Sequence, residues 1–236
     1  MNELPEELFT NPTWHALHSK HQKFAKCAGE ACRYPADVGP LAAIRAPGVE
    51  PMLALSWLLN AGESVWIIGK EYAEVAGLVR EETLECLQMV LPAGVRVPDS
   101  DIDIVNLSDT TAGEMVALTT LAFPGFFRQR TCEMGSYYGV RSPSAELIAM
   151  GGERLKLEGF TEISTVCTHP AFRGRGLAAA IIWQLVREHR KEGVVSWLHV
   201  ASANRRAQEL YLRMGFEEIR RVTLHRVLRG TEMNIT

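Results

Sequence analysis

The stretch "THPAFRGRGLAAAIIWQL", residues 168–185, decides the reading of this chain. A run rich in β-branched residues ends at Thr168, Pro170 forbids its continuation, and a helix opens near Gly176. The first turn of any helix leaves four backbone N–H groups without internal partners, and the summed peptide dipoles place roughly half a positive charge there. Gly174 and Gly176 let that backbone approach a bulky anion, while Arg173 and Arg175 add charged donors. A polyphosphate, most simply a pyrophosphate, uses both features. A plain βα turn with its arginines in water has the same spacing. Further along, Leu177, Ile181 and Leu185, with Ile182 and Val186 beside them, form an apolar stripe that predicts a helix over 177–192. Ala178, Ala179 and Ala180 keep its first turn slim.

Working outward, "GSYYGVR", "AELIAMGGERLKL" and "FTEISTVCTH" predict strands before this turn, and "VVSWLHV" predicts one after the helix. A short helix follows over 205–214, capped by Asn204 or Ser202 and stopped by Gly215, and then a strand pair near "FEEI" and "RVTLHRV". Upstream, "DIVNL" predicts a strand and "TTAGEMVALTTLA" a helix with Ser108 or Asp109 as its cap. Residues 1–98 are a mixed α/β segment, with helical patterns in "TWHALHSKHQKFA" and "EPMLALSWLLNAG" and strand-like runs "PLAAI", "SVWIIG" and "LECLQMVL". Between the two parts, "LPAGVRVPDSD" has the composition of a connecting loop, which predicts an N-terminal region over 1–98 and a second domain over 99–236.

The totals are those of an ordinary globular protein: 236 residues, 47% hydrophobic, 22% charged, with a formal charge of −3. A nucleic-acid partner is not expected of a chain with a pI near 6.2. The start "MNELPEELFT" is acidic and no apolar run approaches the roughly 20 residues that span a bilayer, so the expectation is a cytoplasmic protein without a membrane partner, acting alone or as a homodimer. The five cysteines are odd in number, scattered, and lack a C-x-x-C pair, which predicts small core residues rather than a zinc site or disulfide framework. His15, His18 and His21 recur at spacings of three, but no acid or cysteine stands beside them, so no metal is expected.

Two phosphate ligands compete for the glycine and arginine turn. Gly174, Gly176 and Ala179 match the G-x-G-x-x-A dinucleotide fingerprint. Against it, "VVSWLHVASAN" ends without the acid that holds a ribose, and too little chain remains for the further βα units such a sheet needs. A Walker A lysine is missing as well. "RGRGLA", Arg173 to Ala178, resembles instead the R/Q-x-x-G-x-G/A signature of the GNAT acyl-coenzyme A-dependent N-acyltransferases, and "LHVASANRRAQELYLRMGF" is similar to that family's second hallmark. Together with "TEISTVCTHP" the pattern most resembles the FR47-like branch, over about residues 102–228.

The resemblance implies an α/β (α+β) GNAT fold, in which a central mixed sheet flanked by helices splays open between the "TEISTVCTH" and "VVSWLHV" strands. Acyl-coenzyme A would enter the gap, with its pyrophosphate on the main-chain N–H groups of Arg173, Gly174, Arg175, Gly176, Leu177 and Ala178. Its pantetheine amides would pair with Val166 and Thr168 like an added strand, and Asn204 would bridge the cofactor, cap its helix, or both. Ala178 stands where the family often has glycine. The N-terminal region would be a degenerate half of the same fold or an unrelated addition.

The implied reaction is transfer of an acetyl group from acetyl-CoA to a primary amine of a small molecule, amino acid or peptide by direct attack, without a metal. The alternative is a non-catalytic acyl-CoA sensor. An amine of pKa near 10.4 costs roughly 4.6 kcal/mol to present as neutral at pH 7, so a general base helps. Glu162 stands where some GNAT members place a catalytic glutamate, and strand alternation predicts Glu162, Ser164 and Val166 on one face of the cleft. Glu133 and Glu146 are weaker candidates. Tyr211, on the inward face of its helix with Ala207, Leu210 and Met214, would by the resemblance direct its hydroxyl at the cofactor sulfur. Phe123, Phe126, Phe127, Tyr137 and Tyr138 are either substrate-facing or core.

Overall fold

A computed structural model describes residues 5–231 apart from 70 and 109. The N-terminal hundred residues form helices α1 (Glu6–Thr10) and α2 (Pro12–Leu17), strands β1 (Lys26–Ala28), β2 (Ala31–Arg33) and β3 (Ala42–Ile44), helix α3 (Val49–Leu58), and strands β4 (Ser64–Ile68) and β5 (Leu78–Val90). Then come β6 (Val105–Asn106), α4 (Ala112–Ala122), β7 (Tyr137–Arg141), β8 (Leu147–Leu157), β9 (Phe160–Thr168), α5 (Leu177–Lys191), β10 (Val195–Ala201), α6 (Arg205–Arg213) and β11 (Glu217–Arg229). Strands β1, β2 and β3 make a small antiparallel sheet, and the other eight pair in the order β4-β11-β5-β10-β9-β8-β7-β6. Within the large sheet β9 and β10 run parallel, and every other neighbouring pair is antiparallel.

Both faces of this sheet are covered. Helix α5 lays Leu177, Ile181, Ile182, Leu185 and Val186 against Met89, Ile163 and Leu198 on one face. Phe9, Leu17, Tyr34 and Trp66 cover Cys86, Leu155 and Trp197 on the other. Each such side chain contributes about 1.5–3 kcal/mol when withdrawn from water. Double coverage also buries polar residues of the central strands, among them Gln88, Thr161, Glu162 and Ser196.

The division expected near residues 91–101 does not cut the sheet, because β5 lies between β10 and β11. The 91–101 segment is itself fastened to α5, where Arg187 donates to the Pro98 carbonyl and Arg190 to that of Val95. Proline and glycine report the local backbone; they do not tell whether the strands on either side of them pair.

Helices α5 and α6 end within one residue of expectation. Asn204, not Ser202, caps α6 by accepting the Ala207 N–H at 3.1 Å, and Gly215 closes it at φ +90°. Helix α4 follows Thr111 with no side-chain cap; Ser108 is not its cap, and Asp109 lies outside the described residues. "FEEI" and "RVTLHRV" form one strand, β11, in which a register shift between Glu218 and Arg220 absorbs the extra residue. The long helix expected from "TWHALHSKHQKFA" stops at Leu17.

The cysteine expectation also needs correcting. The β1–β2 hairpin sets Cys27 directly opposite Cys32, with their Cα atoms 4.1 Å apart, and the two are joined in a disulfide. Nothing in a five-residue separation announces a hairpin. Cys86 and Cys167 are buried thiols as expected. The three histidines do not converge: His21 is in the core between the Tyr34 hydroxyl (2.8 Å) and the Met134 carbonyl (3.1 Å), and burial lowers its pKa to about 4. His18 donates from Nδ1 to the Trp14 carbonyl. Among the described residues no helix is long and apolar enough to cross a membrane.

Because β5 sits between two strands of the C-terminal part, residues 99–236 expressed alone should show no cooperative thermal transition by circular dichroism. A sharp melt of that fragment would contradict the single-sheet description.

Candidate active site

The site begins where two strands part. Parallel β9 and β10 pair at Val195 with Phe160, Ser196 with Thr161 and Trp197 with Glu162, and the ladder goes no further. Beyond that point β10 follows β5, from Leu198 with Met89 to Ala201 with Cys86, while β9 follows β8. The edge of β9 that faces β10 is therefore left without backbone partners from residue 163 onward, and a V-shaped gap opens.

Helix α5 starts at the mouth of this gap. Gly174 and Gly176 hold φ +81° and +76°, a region that L side chains rarely adopt, and a Cβ on either would meet nothing within 4 Å. No side chain caps the helix, and Ala180 is the first of its residues whose N–H finds a main-chain carbonyl, that of Gly176, at 3.1 Å. A cleft of about 470 Å³ lies against this end, lined by Val166, Cys167, Thr168, the 172–179 turn, Asn204 and Tyr211. All of the expected cofactor residues and Tyr211 are thus brought together. A hollow of about 540 Å³ beside Tyr72 and Arg80 shares none of these residues.

The Tyr211 hydroxyl has no hydrogen-bond partner among the described residues, and burial pushes its pKa up to about 12. Its ring meets Phe216 edge-on at 5.7 Å. Asn204 uses its side-chain oxygen as the α6 cap, which leaves its amide N–H₂ to donate into the cleft. Arg173 donates from Nε to the Thr168 carbonyl at 3.3 Å, and Arg175 lies 5.0 Å over the Phe172 ring. Sequence reasoning missed Arg206 and Arg213, which also line the cleft. Their spacing around Leu210 puts them on the face that carries Ala207 and Tyr211, a signal that was available.

Glu162 is not where alternation put it. Thr165 holds φ +56°, a costly conformation for a β-branched residue, and it lies between the pairs Ser164 with Gly152 and Cys167 with Met150, where the register shifts. Two residues of β9, Thr165 and Val166, thus stand opposite the single Gly151 of β8, and this bulge reverses the facing. Val166 packs on the α5 side, while Glu162 points to the opposite, N-terminal layer. There its side chain is fully buried and accepts from Arg154 Nε (2.9 Å) and Nη2 (2.6 Å), the Leu155 N–H (3.2 Å) and His199 Nδ1 (2.7 Å). Burial opposes the charge, but Arg154 and His199 outweigh it and hold the pKa at about 2. A carboxylate so engaged is a poor proton acceptor at neutral pH.

Glu133 is ion-paired with Arg130 on the surface, and Glu146 is exposed. Of the aromatic candidates Phe123 lines the cleft, Phe126 stacks on it at 5.9 Å, and Phe127 and Tyr137 are core residues. Tyr138 is partly buried against the α5 layer.

The profile of FR47-like proteins matches residues 137–225. Over 94% of its length the chain is similar to the crystal structure of a GNAT-family protein from Novosphingobium aromaticivorans, with 34% identity, 99% of that chain covered and a TM-score of 0.85. The chain belongs to the GNAT family. A GCN5-related N-acetyltransferase from Kribbella flavida (17% identity, 96% of each chain, TM-score 0.60) shares the fold. So does a GCN5-related N-acetyltransferase-like protein from Streptococcus suis (11% identity, 95% of this chain and 94% of that one, TM-score 0.60). The comparison with curated proteins returns no match. Every residue lining the cleft of this GNAT chain, apart from Ala122 and Phe123, falls inside the FR47-like match.

Because the Glu162 carboxylate is held below its ordinary pKa of about 4.3, its contribution is complete above that value and is lost as pH falls toward 2. Glu162→Gln should cost about 3 kcal/mol in urea unfolding at pH 7, and the gap from wild type should shrink at pH 3. An equal gap at both pH values would show that the buried group is not ionised.

Proposed function

We propose that this GNAT protein is an N-acyltransferase that moves an acetyl group from acetyl-CoA to the primary amine of a small molecule, amino acid or peptide. One observation carries the reading: an uncapped helix N-terminus, two glycines at positive φ, four arginines and a tyrosine hydroxyl converge on a single cleft whose lining holds no carboxylate. The N–H groups of residues 174–179 would donate to the pyrophosphate, with Arg173, Arg175, Arg206 and Arg213 adding charge. The unpaired edge of β9 at Val166 and Thr168 would take the pantetheine amides as an added strand. Arg173 would release the Thr168 carbonyl as it turns to the phosphates.

In the transfer the acceptor nitrogen forms a bond to the acyl carbon as the carbon–sulfur bond breaks, and the proton lost from nitrogen balances the one gained by sulfur. Full proton transfer from Tyr211, at about 12, to a thiolate whose conjugate acid lies near 8.5 would run uphill by roughly 5 kcal/mol. Tyr211 therefore acts by donating a hydrogen bond as charge builds on sulfur. Cys167 also lines the cleft, but burial pushes its thiol up to about 12, so it stays protonated and direct attack on the thioester is favoured over an acyl-cysteine. With Glu162 turned away and no carboxylate or histidine in the lining, the neutral form of the amine limits the rate. Holding that amine against the acyl carbon can supply up to roughly 7–11 kcal/mol.

A thiol-release assay with acetyl-CoA over an amine panel tests this. We expect kcat/KM to climb about tenfold per pH unit toward the acceptor's own pKa, and Tyr211→Phe to lower kcat about a hundredfold with little change in coenzyme A affinity. A plateau between pH 6 and 8 would reveal a protein base, and unchanged turnover in Tyr211→Phe would remove the hydroxyl from the mechanism. Coenzyme A binding with no thiol release from any amine would point to a sensor.

A further inference from the structure

Arg128 follows the turn made by Phe123, Pro124 and Gly125 and is half-buried. Its main-chain N–H is held by Thr131 Oγ1 at 2.7 Å, and its guanidinium makes a single bond, to the Phe127 carbonyl at 3.1 Å. No carboxylate of the described residues pairs with it. Arg130, Arg154 and Arg226, by contrast, are all engaged: Arg130 by Glu133 and Asp37, Arg154 by Glu162, and Arg226 by Glu81, Glu82 and Ser64. Burial, and secondarily the like charge of Arg226, lower the pKa of Arg128, so its guanidinium is partly desolvated with no carboxylate of the described residues to offset it. Keeping a guanidinium in such a place costs free energy unless an anion arrives.

The position of Arg128 says which anion. Trp66 is the cross-strand partner of Arg226 and stacks on Phe126 at 5.5 Å; Phe126 stacks on Phe123, which lines the coenzyme cleft. A row of three aromatic rings therefore runs from the cleft to Trp66, on the face of the sheet opposite α5, and Arg128 follows the middle ring, Phe126, by two residues. We infer that Arg128 receives the carboxylate of the acceptor, so that the acceptors are amines that also carry a carboxyl group, such as amino acids or peptides with a free C-terminus. Phe123, Phe126 and Trp66 wall the acceptor's body, and its amine reaches toward the thioester. The planar guanidinium fork suits a carboxylate, which it can bind through two parallel N–H bonds. The inference rests on the acyltransferase reading.

Calorimetry on the full chain saturated with coenzyme A tests it without depending on turnover. The probes are matched pairs: glycine with methylamine, L-phenylalanine with 2-phenylethylamine, and glycyl-phenylalanine with its amide. In at least one pair the free acid should bind about ten- to a hundredfold more tightly. Arg128→Gln should bring that ratio close to one, and Arg128→Lys should leave an intermediate ratio, with thermal melts checking that each variant is folded. The inference is overturned if no pair shows the preference, or if the preference survives in Arg128→Gln. Absence of thiol release with every amine would sink the acyltransferase reading instead, and the binding ratios would still judge Arg128.

Discussion

The carboxylate of Glu162 ties three strands together at the point where the sheet opens. The last backbone pair between β9 and β10 joins Trp197 to Glu162, and from there the side chain takes over, accepting from Arg154 on β8 and His199 on β10. Beyond this tie the strands are free to separate, because each has a partner on its outer side. A buried ion pair persists only when nearly all its lone pairs and donors are satisfied, and four donors converge on this carboxylate. The acid that looked best suited to chemistry is engaged by four donors at the point where the cleft opens.

The N-terminal region contributes strands to the same sheet as the cleft. Strand β5 holds β10 away from β9, and β4 with β11 extends the same sheet to carry Trp66 and Arg226. Helices α1 and α2 cover the face to which Glu162 turns, and Gln88 of β5 donates to the Phe9 carbonyl and to His199 Nε2. The first hundred residues thus build one wall of the gap and the floor of the face from which the acceptor is proposed to enter.

That the expected cofactor residues lie together was legible because their pattern is local. A strand, a proline, two glycines and an amphipathic helix lie within about twenty residues, and both α5 and the Asn204 cap follow from that short-range pattern. The acceptor side was not, because it depends on pairings between distant segments. Period-two alternation placed Glu162 with Val166, and a single residue at positive φ, Thr165, reversed it; no feature of "EISTV" marks a threonine for that conformation. Likewise the meeting of Phe126 with Trp66 follows from the order of strands and not from the motifs. The Cys27–Cys32 link escaped for the same reason, since it follows from a hairpin that weak strand signals left unmarked.

The central claim is that the N-terminal end of α5, beside the parted strands, clasps a diphosphate. A crystal structure of the protein with coenzyme A tests it most directly. The account predicts pyrophosphate oxygens within about 2.7–3.2 Å of main-chain nitrogens between residues 174 and 179, with the sulfur in reach of the Tyr211 hydroxyl. Coenzyme A bound elsewhere, with those nitrogens turned to water, would contradict it.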